Sequence, residues 1–250
     1  LVIAGIGVWA KALSLRGALA AVGIGTVVLG AGGWEPAWLV VLFFASSSLL
    51  TRLGRVRKRE AEAAFAKSGR RDAGQVLANG GVAAVLSLAY GMDGDPVWMA
   101  GVMGSLAAAT ADTWATEVGG YSAYRPRLVT TGERVAHGTS GGVTALGTAA
   151  GAGGAIIIAL AGMALGAPTP TGVAVAAAGF VAAGIDSLLG ATVQAMYYCP
   201  RCQRETEQAP LHRCGQATQY RRGWRWLNND GVNFLATAVG AALAMAAVGL

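Results

Sequence analysis

Three carboxylates, Asp112, Glu117 and Asp186, fall inside stretches otherwise built mainly of Ala, Gly, Val, Leu and Thr. A charged side chain in hydrocarbon is costly, so those that persist there face a bundle interior and usually serve ions or substrates. The plainer alternatives are a buried polar residue joining two helices or, for Glu117, a carboxylate at a helix end that reaches water. Asp112 has Thr116 one turn on and Ser105 two turns back on its face, and Asp186 shares its face with Gly190 and Gln194. Both carboxylates sit fifteen residues into segments that run the same way across the membrane, which places them at one depth. Two carboxylates with hydroxyl neighbours form a hard oxygen site suited to Mg²⁺, which keeps several waters and bridges to substrate phosphates.

A second constellation is Arg134-Val-Ala-His-Gly-Thr-Ser-Gly-Gly142. Gly138, Gly141 and Gly142 would let backbone N–H groups approach an anion at the expected start of a helix, with Thr139 and Ser140 as hydroxyl donors and Arg134 as charge. An ordinary N-cap at Thr139 or Ser140 is the competing reading, and His137 reads as incidental. Asn228-Asn229-Asp230 opens the last apolar segment. One cap does not need three such residues, so Asn229 and Asp230 are candidates for metal or nucleotide contacts. Gln75 and Asn79 lie one turn apart; Gln75 reads as helix glue and Asn79 as a nucleotide contact. The only lysines are Lys11, Lys58 and Lys67, and no P-loop or protein-kinase glycine loop occurs.

Cys199-Pro-Arg-Cys202 and His212-Arg-Cys214-Gly215 give the spacing Cys-x₂-Cys-x₉-His-x-Cys. Four soft ligands suit a closed, structural tetrahedral Zn²⁺; reduced free thiols are the alternative. Three Cys within 16 residues on the expected cytoplasmic side argue against a structural disulfide.

The elements that must position these residues are membrane helices. The 250 residues are 54% hydrophobic and 13% charged, with 38 glycines, a composition that lets transmembrane backbones approach closely. Apolar segments are expected at roughly 1–12, 16–32, 36–51, 72–90, 97–118, 140–165, 171–197 and 230–249, the first short enough to be interfacial. All 19 Lys and Arg fall in alternate loops, and the other loops hold only Glu35, Asp93 and Asp95. By the positive-inside rule the basic loops are cytoplasmic, in a cell inner or plasma membrane. The net charge of +6 therefore speaks for anionic lipid rather than nucleic acid. The expected fold is all-α and polytopic: one membrane domain over 1–250, seven or eight transmembrane helices, a basic amphipathic cytoplasmic segment at 52–71 and a cytoplasmic Cys/His loop at 198–229. Glycine-rich helices would also permit a homodimer.

Five strings carry a family resemblance: Gln75-Val-Leu-Ala-Asn-Gly-Gly81, Ala109-Thr-Ala-Asp-Thr-Trp-Ala-Thr-Glu117, Gly138-Thr-Ser-Gly-Gly142, Asp186-Ser-Leu-Leu-Gly-Ala191 and Asn228-Asn-Asp-Gly-Val-Asn233. With them the chain resembles the integral-membrane phytyl-phosphate kinases of the vitamin E pathway and their bacterial, archaeal and animal relatives. The resemblance implies phosphorylation of a prenyl monophosphate to the diphosphate by a nucleoside triphosphate, often CTP. Asp112, Asp186 and Asp230 would then hold Mg²⁺, with Arg134 and Glu117 in the catalytic set. Asn79, Thr116, Gly138–Gly142, Asn229 and Asp230 would lie on the nucleotide. More remotely the layout is similar to dolichol kinases and CDP-lipid synthases, where a Lys and a Glu stand in place of Arg134 and His137. The alternatives are nucleotidyl transfer to a CDP-lipid, a lipid-alcohol kinase and, further off, an ion-coupled transporter.

Overall fold

The computed structural model describes residues 1–54 and 70–249. Among them, seven helices of 18 to 24 residues form around one of their own number. They are α2 (Leu15–Gly32), α3 (Trp34–Gly54), α4 (Ala73–Asp93), α5 (Pro96–Gly119), α6 (Ala145–Ala164), α7 (Thr169–Thr192) and α8 (Asn229–Gly249). Local chemistry sets their starts. Ser14, Asp72, Asp95 and Thr144 accept the N–H of Gly17, Gln75, Val97 and Gly147 at 2.9–3.0 Å, satisfying first-turn donors that have no partner within the helix. Gly94 closes α4 at φ 72°, where a Cβ would be strained.

The expected all-α polytopic membrane fold is what the chain adopts. Six helices, α2, α3, α4, α6, α7 and α8, are long and apolar enough to cross a membrane. The seventh, α5, is long enough at about 36 Å, but it lies inside the others. Every residue from Ala100 to Ala111 is buried, and α3, α4, α6, α7 and α8 all pack on it. A preceding helix, α1 (Val2–Trp9), covers about 12 Å over these residues.

Glycine permits the enclosure. On α6, a Cβ at Gly147, Gly151 or Gly154 would come 2.7, 3.2 and 2.9 Å from the carbonyl oxygens of Ala115, Ala111 and Thr110 on α5. Across the other side, a Cβ at Gly240 of α8 would meet the Gly104 carbonyl at 2.6 Å and Ala108 at 2.8 Å. Without a hydrophobic force between helices in lipid, such backbone-to-backbone packing is a principal source of association.

Two helix boundaries and one loop differ from the expectation. Helix α6 begins at Ala145 rather than 140, because Gly138 and Gly141 take φ of 83° and 79° and Thr144 is the residue whose hydroxyl caps. The preceding Gly142–Val143 (β2) instead pairs antiparallel with Arg127–Leu128 (β1). Helix α7 stops at Thr192 rather than 197; the Arg222 guanidinium donates to the carbonyls of Ala191 at 2.7 Å and Gly190 at 3.3 Å, groups that end-of-helix geometry leaves unsatisfied. The segment at 198–229 is more than a loop: Met196–Cys199 (β3) is the centre of an antiparallel sheet ordered β4-β3-β5, with Arg204–Thr206 (β4) and Gln219–Arg222 (β5). Most of the expected amphipathic segment 52–71 lies outside the described residues.

The described basic loops meet at one end of the bundle. Ser14 N–H donates to the Arg71 carbonyl at 3.0 Å and Arg71 N–H to Ala12 at 2.9 Å, joining the α1–α2 turn to the entry of α4. Arg52 reaches the Ala10 carbonyl.

Candidate functional site

At this basic end the inner turns of α4, α5, α7 and α8 surround a cavity of about 1040 Å³. Asp112 lies sixteen residues from the start of α5 and Asp186 seventeen from the start of α7, hence about 24 and 26 Å along their helices. They approach one another within hydrogen-bonding range. Two ionised carboxyl groups have no proton to offer each other. Asp186 is only 9% exposed, and its Oδ2 is buried with no hydrogen-bond partner among the described residues. Facing acceptors with an orphaned buried oxygen call for a proton or a cation between them, and an all-oxygen donor set suits a hard divalent ion such as Mg²⁺.

Glu207, just beyond β4, is a third carboxylate near enough for its charge to bear on both aspartates. It accepts Gln194 Nε2 at 2.7 Å, and Gln194 Oε1 accepts the Ser140 hydroxyl at 3.1 Å. The glycine turn is thereby tied to the end of α7. Gly141 packs on Ala191, and a Cβ at Gly190 would meet Ser140 Oγ at 2.6 Å. Glu117 accepts the Thr51 hydroxyl at 3.0 Å and sits in the field of Arg71. Burial lowers the Arg71 guanidinium to about 10 while Glu117 pushes it back up. Its Cζ lies 5.3 Å from the Phe43 ring and 5.8 Å from Phe44, and its Nη1 is buried with no partner among the described residues. Arg52, Arg70, Arg213 and Arg225 also line the cavity, making it a basic vestibule over an acidic floor.

Above it, the Cys/His residues converge. Cys199, Cys202, His212 and Cys214 offer four ligand atoms all within 4.8 Å of one another. The Cys199–Cys214 sulfurs are 3.6 Å apart, and His212 Nδ1 lies 3.6 and 3.2 Å from Cys202 and Cys214. The edges of a Zn–thiolate tetrahedron are about 3.7 Å for 2.3 Å bonds, so the group fits a metal. The His212 hydrogen bond lowers the Cys214 thiol to about 6, whereas its thiol neighbours, with Cys214 foremost, push Cys202 up to about 11.

Over residues 1–241 the sequence matches the family described as Integral membrane protein DUF92. The chain belongs to the DUF92 family. It is 32% identical to Protein PGR of Arabidopsis thaliana, over 90% of this chain and 85% of that one. An uncharacterized membrane protein of Methanocaldococcus jannaschii is 31% identical over 92% of this chain and 83% of its own. Protein VTE6, chloroplastic, of Arabidopsis thaliana is 28% identical over 93% of this chain, which spans 64% of the relative. No solved structure matches it. The family and these relatives bear out the resemblance carried by the five strings.

In this DUF92 chain the cavity gathers most of the residues singled out from sequence: Asn79, Asp112, Thr116, Glu117, Asp186, the Gly138–Gly142 turn, Asn229 and Asp230 all line it. Asn228 accepts the Gly231 N–H at 3.0 Å, so it is the helix cap, and capping does not account for Asn229 and Asp230. Asp230 lies against Gly74 at the start of α4. Asn79 donates to the Gln75 carbonyl at 2.9 Å. Arg134 is not brought to the cavity: it is exposed and bridges to Arg127. His137, read as incidental, lines the wall. Arg71 and Glu207 were missed. The dipeptide Arg70-Arg71 ahead of Asp72 carried a signal for the first; nothing distinguishes Glu207 from other loop acids.

Proposed function

We propose that this DUF92 protein is a membrane kinase that transfers a phosphoryl group from a nucleoside triphosphate, with CTP the donor the resemblance implies, to a prenyl monophosphate such as the phytyl or geranylgeranyl ester. The observation that carries the reading is the Asp112–Asp186 pair, with its orphaned buried oxygen, beneath a rim of arginines. Mg²⁺ held there would neutralise charge on the donor β- and γ-phosphates. Asp230, Asn229 and Asn79 would meet the nucleotide, the Gly138–Gly142 turn the phosphates, and Arg71 and Arg70 the anionic head of the lipid. A non-bridging oxygen of the prenyl phosphate attacks the γ-phosphorus, the bond from that phosphorus to the β-bridging oxygen breaks, and nucleoside diphosphate departs. A phosphate monoester has its second pKa near about 6 and is largely ionised at neutral pH. The acceptor therefore needs no strong base, and positioning with charge neutralisation does most of the chemistry.

The wall supports a lipid acceptor. Phe180 and Val181 of α7 are 40% and 49% exposed on the bundle surface yet also line the cavity. They lie six and five residues nearer the bilayer centre than Asp186, an apolar way out for a prenyl tail. The positive-inside rule puts the arginine-rimmed mouth in the cytoplasm, and the Cys/His cluster would be a structural zinc site.

The test is an assay of purified protein in detergent with phytyl or geranylgeranyl monophosphate, each nucleoside triphosphate and Mg²⁺. Nucleoside diphosphate and prenyl diphosphate are the expected products. Pyrophosphate release would instead mean nucleotidyl transfer to a CDP-lipid, and use of the free alcohol a lipid-alcohol kinase. Activity surviving both Asp112→Ala and Asp186→Ala would remove the metal assignment, and Asp112-dependent solute uptake into proteoliposomes would make the protein a transporter.

A further inference from the structure

Glu207 enters the cavity from the Cys/His sheet, not from a membrane helix, and it is held from both directions. Thr206, Gln208 and His212 are buried. Thr206 Oγ1 accepts the Gln208 N–H at 3.1 Å, and Gln208 Oε1 accepts the Arg213 N–H at 2.7 Å. The arm bearing Glu207 is therefore clamped between the two halves of the cluster, Cys199 and Cys202 before it and His212 and Cys214 after it. From the membrane side Gln194, 1% exposed, donates to Glu207 while accepting from Ser140. A buried amide satisfied at both ends fixes one orientation of the carboxylate it holds.

We propose that Glu207 is the outer carboxylate of the divalent-cation site at Asp112 and Asp186, positioned by Gln194 and held over the cavity by the metal-loaded Cys/His cluster. The proposal rests on the reading above in one respect, that a divalent cation sits at the aspartate pair. Glu207 belongs to the outer shell. Among the described residues the Cys/His cluster is the only set of three or more His, Cys, Asp and Glu whose ligand atoms all lie within 4.8 Å. Oxygens across an Mg²⁺ octahedron are only about 4.2 Å apart, twice the bond length of about 2.1 Å. Glu207 thus accepts hydrogen bonds from water on the cation rather than binding it directly, and Mg²⁺ characteristically retains such water. The cluster acquires a purpose beyond stapling a loop: a soft-metal clip sets the outer shell of a hard-metal site, so that losing the first metal weakens the second.

The test is Mn²⁺ binding to the purified full chain in detergent, read as free Mn²⁺ by electron paramagnetic resonance, beside the melting temperature without Mn²⁺. Loss of an outer-shell partner typically weakens metal binding by about 10–100-fold. Glu207→Gln is expected to raise the Mn²⁺ Kd by that factor with an unchanged metal-free melting temperature, and Asp112→Asn to abolish binding. Cys214→Ser, which touches no cavity carboxylate, is expected to weaken Mn²⁺ comparably and carries the test should Glu207→Gln melt early. An Mn²⁺ Kd within about twofold of wild type in Glu207→Gln, with Asp112→Asn still abolishing binding, overturns the proposal and leaves the kinase reading standing. Wild-type binding in Cys214→Ser overturns the role of the clip. Failure of the wild-type protein to bind Mn²⁺ overturns both readings.

Discussion

Replacing Arg71 by Gln is expected to cost the fold almost nothing and the anionic substrate a great deal. Burial lowers this guanidinium to about 10 even with Glu117 beside it. At 1.36 kcal/mol per unit, holding its charge in the folded protein costs about 3 kcal/mol. The sign follows from linkage: a base whose folded pKa is depressed destabilises the fold at every pH below about 10, and the cost fades above that as pH climbs toward the ordinary arginine range. Stacking over Phe43 and Phe44 offsets about 1–2 kcal/mol of it. The balance is a residue the empty fold would be no worse without, and whose Nη1 has no hydrogen-bond partner among the described residues. A charge-assisted hydrogen bond to a phosphate oxygen contributes about 1.5–3 kcal/mol, or roughly 10–150-fold in affinity. Arg71→Gln should therefore leave the melting temperature in detergent unchanged or a few degrees higher, while the KM for prenyl phosphate rises by about that factor. Arg71→Lys should recover only part, since an ammonium lacks the guanidinium fork. A fall of more than about 5 °C with an unchanged KM would refute the reasoning and make Arg71 a structural residue of the α3–α4 junction.

Four further outcomes follow from particular contacts. Asp112→Asn or Asp186→Asn should lower phosphoryl transfer at saturating substrate by at least about 10²–10³-fold, the usual loss on removing a transition-state electrostatic partner; a fall under tenfold would argue against the metal pair. Gly240→Val places a Cβ 2.6 Å from the Gly104 carbonyl and should destabilise by about 1–3 kcal/mol, read as a lower melting temperature. Gly184 lines the cavity with no atom within 4 Å of an added Cβ, so Gly184→Phe should leave melting unaltered while raising KM for long prenyl phosphates more than for short ones. In metal-free protein, Cys214 at about 6 is mostly thiolate at pH 7 and Cys202 at about 11 is not. Iodoacetamide should label half-buried Cys214 before exposed Cys202, with a rate half-maximal near pH 6 and suppressed by Zn²⁺; the opposite order would show that exposure, not thiolate fraction, governs.

Helix order and one-sided charge were legible because each rests on a run of residues: about 20 apolar positions make a span, and arginine cannot lie in hydrocarbon without cost. Asp112, Asp186 and the Cys/His spacing were legible because each violates its surroundings or repeats a ligand pattern. What escaped depends on single residues whose role is set by distant partners. The start of α6 turned on Thr144 outcompeting Ser140 as a cap, and the end of α7 on Arg222, 31 residues beyond the carbonyl it holds. Arg134 carries the right charge in the right loop, but pairing of the Arg127 and Gly142 strands leaves it facing outward. Glu207 reaches the cavity only because the sheet carrying the Cys/His residues brings its arm back over α7, a three-dimensional consequence with no local signature.

The enclosure of α5 explains why the chemistry lies where it does. Helices that touch lipid must be apolar over a full span, and α5 is the long helix not counted among the six apolar enough to cross alone. Its inner half carries Thr110, Asp112, Thr113, Thr116 and Glu117. Thr110 and Thr113 satisfy themselves on the carbonyls of Leu106 and Ala109 at 2.7 and 2.8 Å, while the carboxylates look into the cavity. Sheathing by glycine-faced α6 and α8 is what frees α5 to be polar, so tight packing and the acidic site have one cause. The partner carboxylate is on α7, which keeps a lipid-facing side at Phe180 and Val181. An aspartate pair split between a sheathed helix and a lipid-facing one lies on the boundary between protein interior and bilayer. Under the proposed function, that is where a phosphate head would meet the bound cation while its hydrocarbon tail stayed in the membrane.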